Sequence, residues 1–146
     1  MAKVLILIVE DEASLADMYA ANFRASGYDV DIAHEGTEGF DKMMYGHPNV
    51  VLMDIIMPGI SGLETLEKAK SQPTTKDIPI IMLTNYSDSP ELHNAMKEGA
   101  TDFIIKADYT PSQVVEKVTK LLSVGPASLG PAQEQNPKQK PKFKKF

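Results

Sequence analysis

The sequence predicts an α/β fold in which five strands alternate with five helices around a mainly parallel sheet. Three observations predict it. Runs such as residues 4–9 and 78–83 are continuously branched-aliphatic rather than alternating, the mark of strands buried on both faces. The stretches between such runs carry apolar residues at helical spacing. The strict alternation of the two kinds implies right-handed crossovers.

Each element has its own signals. Residues 4–9 form the first strand. Residues 13–26 read as a helix with Leu15, Tyr19 and Phe23 on one face, ended by Gly27. Residues 28–32 make a short second strand. Residues 35–45 read as a weaker helix carrying Phe40, Met43 and Met44, because Gly36 and Gly39 lower helix propensity. Residues 50–53 are a third strand that runs directly into Asp54. Met57-Pro58-Gly59 is a turn, followed by a helix over 61–71 with Leu63 and Leu66 inward. Residues 78–83 are the fourth strand, and 89–98 a helix with Leu92, Ala95 and Met96. Residues 103–105 are the fifth strand. The last helix opens at Thr110-Pro111-Ser112-Gln113, where Thr110 can cap, Pro111 suits the first turn and Gln113 can complete a capping box. It buries Val114, Val118 and Leu121 and ends before Gly125.

The chain has 146 residues, enough for one compact domain and little more. It contains no cysteine, which excludes disulfides, thiolate nucleophiles and cysteine-ligated metals and suits a reducing cytoplasm. Its longest apolar run is too short to span a bilayer, and the amino terminus lacks the apolar length of a signal peptide. Residues 1–124, read as the folded domain, hold 10 basic and 19 acidic residues for a net charge of −9. Residues 125–146 hold five lysines and one acid, for a net of +4, and are rich in proline and glutamine. That composition cannot bury a core, so the segment reads as a disordered tail. The acidic body disfavours nonspecific nucleic-acid binding and suits a divalent cation.

In open parallel sheets, ligands bind beyond the carboxyl ends of the strands. The first strand ends in Glu10-Asp11, the third in Asp54, the fourth in Thr84 and the fifth near Lys106. These five polar groups should meet on one rim. Three crowded carboxylates repel one another unless a cation lies between them. Hard oxygen donors without histidine or cysteine favour Mg2+. A carboxylate such as Asp54 can attack phosphorus to form an acyl phosphate. Lys106 suits a phosphate oxygen, and the Thr84 hydroxyl can donate to another. Taken singly, each has a bland reading. An acidic pair after a strand is often a solvated turn, an Asp before a turn a cap, a threonine a local bond, a lysine a solvated charge and Phe103 plain core. The three histidines, at 34, 47 and 93, read as surface residues, and the methionines as core filler.

Taken together, the segments Leu7-Ile8-Val9-Glu10-Asp11-Glu12, Val51-Leu52-Met53-Asp54-Ile55-Ile56-Met57-Pro58-Gly59, Met82-Leu83-Thr84 and Phe103-Ile104-Ile105-Lys106 give the chain a specific likeness. Over about residues 3–123 it resembles the receiver domains of bacterial two-component response regulators. The spacings of 43 residues from Asp11 to Asp54, 30 to Thr84 and 22 to Lys106 are similar to that family's. The resemblance implies a flavodoxin-like, doubly wound (βα)5 sheet in the order 2-1-3-4-5. It implies that Asp54 is the phosphoacceptor and that Mg2+ is held by Glu10, Asp11, Asp54 and the backbone carbonyl of Ile56. Asp11 would bond the ion directly and Glu10 mainly through water. Thr84 and Lys106 would bind the phosphoryl group, and Phe103 would turn inward as Thr84 moves. The implied donor is a histidine kinase or a histidine phosphotransfer protein. With no DNA-binding domain in the chain, output would pass to another protein, and the face around the fourth helix, last strand and last helix could support a homodimer on phosphorylation. The chain would be no enzyme beyond accepting and slowly losing its own phosphoryl group.

Two features depart from the family pattern. The residue after Lys106 is Ala107 rather than proline, so the following loop is expected to be trans and shaped differently. Ile56 and Tyr86 flank the phosphoryl position and should hinder attacking water, which predicts slow loss of the group. The competing function classes are weaker. A constitutive receiver-like module would not need the full polar set. An aspartyl phosphatase would need a second acid where Ile56 stands. A flavin carrier would find Glu10-Asp11 repelling its phosphate.

Overall fold

The computed structural model describes residues 3–86 and 88–124, so the lysine-rich segment 125–146 lies outside the described residues. The elements follow the predicted alternation: β1 (Leu5–Val9), α1 (Ala13–Ala25), β2 (Asp29–Ala33), α2 (Gly36–Gly46), β3 (Val50–Asp54), α3 (Gly62–Lys70), β4 (Ile80–Thr84), α4 (Pro90–Lys97), β5 (Asp102–Ile105) and α5 (Pro111–Val124). A single 3-10 turn, Lys106–Asp108, joins β5 to α5. The sheet is parallel in the order β2-β1-β3-β4-β5, as the family likeness implied. The ends of the predicted elements shift by one or two residues, with β3 extending to include Asp54 and β4 to include Thr84.

The continuous aliphatic runs are strands with two covered faces. Every residue of β3 and β4 is buried. Leu7, Val9, Met53, Met82 and Phe103 pack beneath α2, α3 and α4, while Ile6, Ile8, Leu52, Ile81 and Ile104 pack beneath α1 and α5. The period-two alternation of side chains along each strand feeds both layers. β2 lies at the edge and is only partly buried. There Lys42 of α2 pairs with Asp31 at 3.0 Å and donates to the Ile32 carbonyl.

Local chemistry starts and stops the helices. Thr110 and Gln113 form the predicted capping box at α5. Ser61 and Glu64 form a second one at α3. Ser89 caps α4 ahead of Pro90. The glycines that weakened α2 in the sequence are packing residues. A Cβ on Gly39 would come within 2.9 Å of Val9, and one on Gly36 would collide with Thr65 and Ile60 of the α3 side. Glycine there lets α2 lie close to β1 and α3, and this close approach outweighs the lost propensity.

Candidate functional site

The carboxyl ends of β1, β3, β4 and β5 meet on one edge of the sheet. Glu10 follows β1, where its N–H donates to the Ala33 carbonyl at 2.9 Å, and it is 1% exposed. Asp54 closes β3 and is 5% exposed. Lys106 reaches across from the end of β5. Its Nζ donates to Glu10 Oε1 at 3.0 Å and pairs with Asp54 Oδ1. Asp11 is exposed at the mouth. Carboxylate oxygens of Glu10, Asp11 and Asp54 lie within 4.8 Å of one another.

Two buried carboxylates, Glu10 and Asp54, therefore share one ammonium group, with the exposed Asp11 beside them. Burial first, and then the hydrogen bond that its protonated form donates to Glu10, push the Asp54 carboxyl well above its ordinary range, while Lys106 pulls the other way. Burial would also raise Glu10, but hydrogen bonds from Asp54, the Glu12 N–H and Lys106 outweigh it and hold Glu10 low. Lys106 is raised because its pairing with Asp54 and Glu10 exceeds the cost of burying it. A site with this surplus of oxygen charge takes up either a proton or a cation. The donor set, all oxygen with no sulfur or imidazole among the clustered groups, fits a hard divalent ion.

The remaining predicted residues fall in and around this edge. Thr84, at the end of β4, is 7% exposed. Its hydroxyl donates to the Tyr86 carbonyl and accepts from the Tyr86 N–H, each at 3.2 Å, rather than facing Asp54. Phe103 is 3% exposed and already packs inward with Met82 and Leu92. Ile56, two residues past Asp54, and Tyr86, two past Thr84, are 69% and 65% exposed. The peptide bonds of the described residues, including that of Ala107, are trans, as the missing proline predicted. Among the histidines, His34 is exposed but turns Nδ1 to the Glu10 carbonyl at 3.1 Å, and His93 is half-buried in α4 rather than a surface residue.

Two contributors escaped the sequence reading. Tyr19, read as a core residue of α1, is buried beside the site. Its hydroxyl is raised first by that burial, and it senses Lys106, Glu10 and Asp54. Gly62 opens α3 directly against the end of β3. Its N–H donates to the Ile55 carbonyl, and a Cβ there would overlap the Asp54 backbone carbonyl. Helical spacing marked Tyr19 only as apolar face, and nothing local marked Gly62.

Residues 6–119 match the family model described as the response regulator receiver domain. The chain belongs to the response-regulator receiver family. The receiver is 36% identical over 121 residues to an uncharacterized transcriptional regulatory protein, YkoG, of Bacillus subtilis, covering 83% of this chain and 50% of that protein. It is 32% identical to the phosphate regulon transcriptional regulatory protein PhoB of Rhizobium meliloti, covering 80% and 51%. The chain thus spans about half the length of the curated relatives it matches. Solved structures agree. A CheY-like response regulator receiver domain protein from Methanospirillum hungatei superposes with a TM-score of 0.77 at 30% identity, over 84% of this chain and 95% of that one. The chemotaxis protein CheY4 of Vibrio cholerae gives 0.74 at 28%, over 82% and 98%. The receiver is accordingly a signalling module of the two-component type, and a phosphoacceptor role fits its site. No helix among the described residues is long and apolar enough to cross a membrane.

Proposed function

We propose that the receiver accepts a phosphoryl group on Asp54 from a phosphohistidine of a histidine kinase or a phosphotransfer protein in the cytoplasm, and that the change alters which protein it binds. The single observation that carries this reading is Lys106 held between the buried Glu10 and Asp54, with Asp11 at the mouth. An Asp54 carboxylate oxygen attacks phosphorus, the P–N bond breaks, and the imidazole nitrogen keeps the electron pair. Glu10, Asp11, Asp54 and the Ile56 carbonyl would hold Mg2+, which neutralises charge on the transferring group. Lys106 turns from the two carboxylates to a phosphoryl oxygen. The Thr84 hydroxyl gives up its bonds to the Tyr86 backbone and donates to another.

Because Phe103 already lies in the core, the motion left to Thr84 runs first through Tyr86 and the segment before α4. Output would pass through the face of α4, β5 and α5, to a downstream protein or a second copy. The receiver would catalyse nothing beyond its own phosphorylation and slow hydrolysis.

Intact-protein mass after incubation with acetyl phosphate, with and without Mg2+, tests this. A single Mg2+-dependent phosphoryl adduct on the wild type and none on Asp54→Ala is the expected result. A folded wild type that takes no adduct would favour a constitutive binding module.

A further inference from the structure

Lys106 must stand at a fixed place to meet Asp54, yet the turn that carries it, Lys106–Asp108, has an exposed alanine next to the lysine. Alanine leaves that backbone freer than a proline would. Something else must hold the turn, and a group of side chains below it does so.

Asp102, the first residue of β5, is buried. Its Oδ1 accepts the Phe103 N–H at 2.8 Å, and its Oδ2 lies 3.4 Å from Lys117 Nζ of α5. The side chains of this pair are 5% and 14% exposed. The same Nζ donates to the Tyr109 hydroxyl at 3.4 Å and lies 5.5 Å from the centre of that ring. Tyr109 immediately follows the turn, packs against the layer beneath α1 and α5, and its N–H points back to the Lys106 carbonyl at 3.5 Å. A continuous line of contacts thus runs from the foot of β5 through α5 and Tyr109 to the backbone of Lys106.

We infer that Asp102, Lys117 and Tyr109 form a strut that positions Lys106 for the phosphoryl group. All three are positioning residues, since none touches Asp54. The ammonium of Lys117 is central: it meets the buried Asp102 charge, and its position over the Tyr109 ring adds a cation–π contact. The inference rests on the reading of Lys106 given under the proposed function, so its test has one arm that needs no phosphorylation.

The first arm is amide hydrogen exchange on the unphosphorylated 146-residue wild type, Lys117→Met and Lys117→Arg. The Met variant keeps the unbranched apolar stem and loses the terminal ammonium and its charge. Exchange should rise at residues 106–110 while β1 and β3 stay protected, and the Arg variant should resemble wild type. The second arm is the acetyl phosphate reaction across a range of Mg2+. The ion's carboxylates are untouched, so half-saturation by Mg2+ should hold while the limiting rate falls about tenfold in the Met variant, short of the roughly 100-fold that a 1 Å misplacement can cost. Tyr109→Phe removes one hydroxyl only and serves should the Met variant fail to fold. It should show the same local exchange to a smaller degree.

Unchanged exchange at 106–110 in both folded variants overturns the strut. So does loosening spread evenly over the molecule with rate and Mg2+ dependence moving together, which is the behaviour of an ordinary buried ion pair. Absence of any wild-type phosphorylation would remove the proposed function, and the exchange arm would still decide the strut.

Discussion

Substituting Gly62 by alanine should damage the site without altering a polar group. A Cβ at Gly62 would overlap the Asp54 carbonyl oxygen and lie 2.8 Å from the Asp54 carbonyl carbon and from Ile55 Cα. Every colliding atom is backbone, so no rotamer relieves the clash. The start of α3 must retreat, which strains the 2.6 Å bond from Gly62 N–H to the Ile55 carbonyl. Overpacking of this kind costs about 1–3 kcal/mol, and a compromised hydrogen bond about 1 kcal/mol. Better helix propensity returns up to about 1 kcal/mol. The net is a loss of about 2 kcal/mol, or roughly 8 °C in Tm for a domain of this size. Urea unfolding measures the first effect, and intact-protein mass after acetyl phosphate treatment measures slower phosphorylation as Asp54 shifts. Gly46→Ala is the control, because a Cβ there meets nothing within 4 Å; it should lie within about 0.5 kcal/mol of wild type. A Gly62→Ala protein equal to that control in stability and phosphorylation rate would refute the reasoning.

Three further outcomes are expected. Because burial and Glu10 raise Asp54, its folded pKa exceeds the unfolded one, so metal-free stability should fall as pH rises from about 4 towards about 8. Mg2+ must displace that proton, so its apparent affinity should rise over the same window by up to about tenfold per pH unit; a flat pH profile in a calorimetric titration would contradict this. Lys106→Met leaves Glu10 and Asp54 without their ammonium and should lower metal-free stability by about 3 kcal/mol, the low end for a broken buried pair because Asp54 can take a proton. Its phosphorylation rate should fall about 100-fold, and a rate near wild type would sink the role given to Lys106. Replacing the exposed Ile56 and Tyr86 together by alanine should open the phosphoryl group to water and shorten the half-life of the phosphorylated protein several-fold; an unchanged half-life, followed by mass after donor removal, would show that neither side chain screens the group.

The sequence by itself determined the alternation of strands and helices, because buried parallel strands must be apolar on both faces and their helices on one. It also located Glu10, Asp11, Asp54, Thr84 and Lys106, since a polar residue directly after an aliphatic run falls at a strand's carboxyl end. The cap at Thr110 was an equally local signal. Tertiary structure decided the rest, because it depends on contacts between residues far apart in the chain. The sheet brings Lys106 to Glu10, 96 residues away, and buries Asp54 beside them, and that burial with the Asp54–Glu10 hydrogen bond sets the proton balance of the site. Gly36 and Gly39 looked like weak points in a helix, and Gly62 carried no local signal, until neighbouring backbone and side chains left no room for a Cβ. Thr84 ended a strand as read, but the direction of its hydroxyl follows from the fold of the next two residues. The strut from Asp102 through Lys117 to Tyr109 joins three elements that no periodicity links, which is why an alanine beside Lys106 looked like a gap in the pattern.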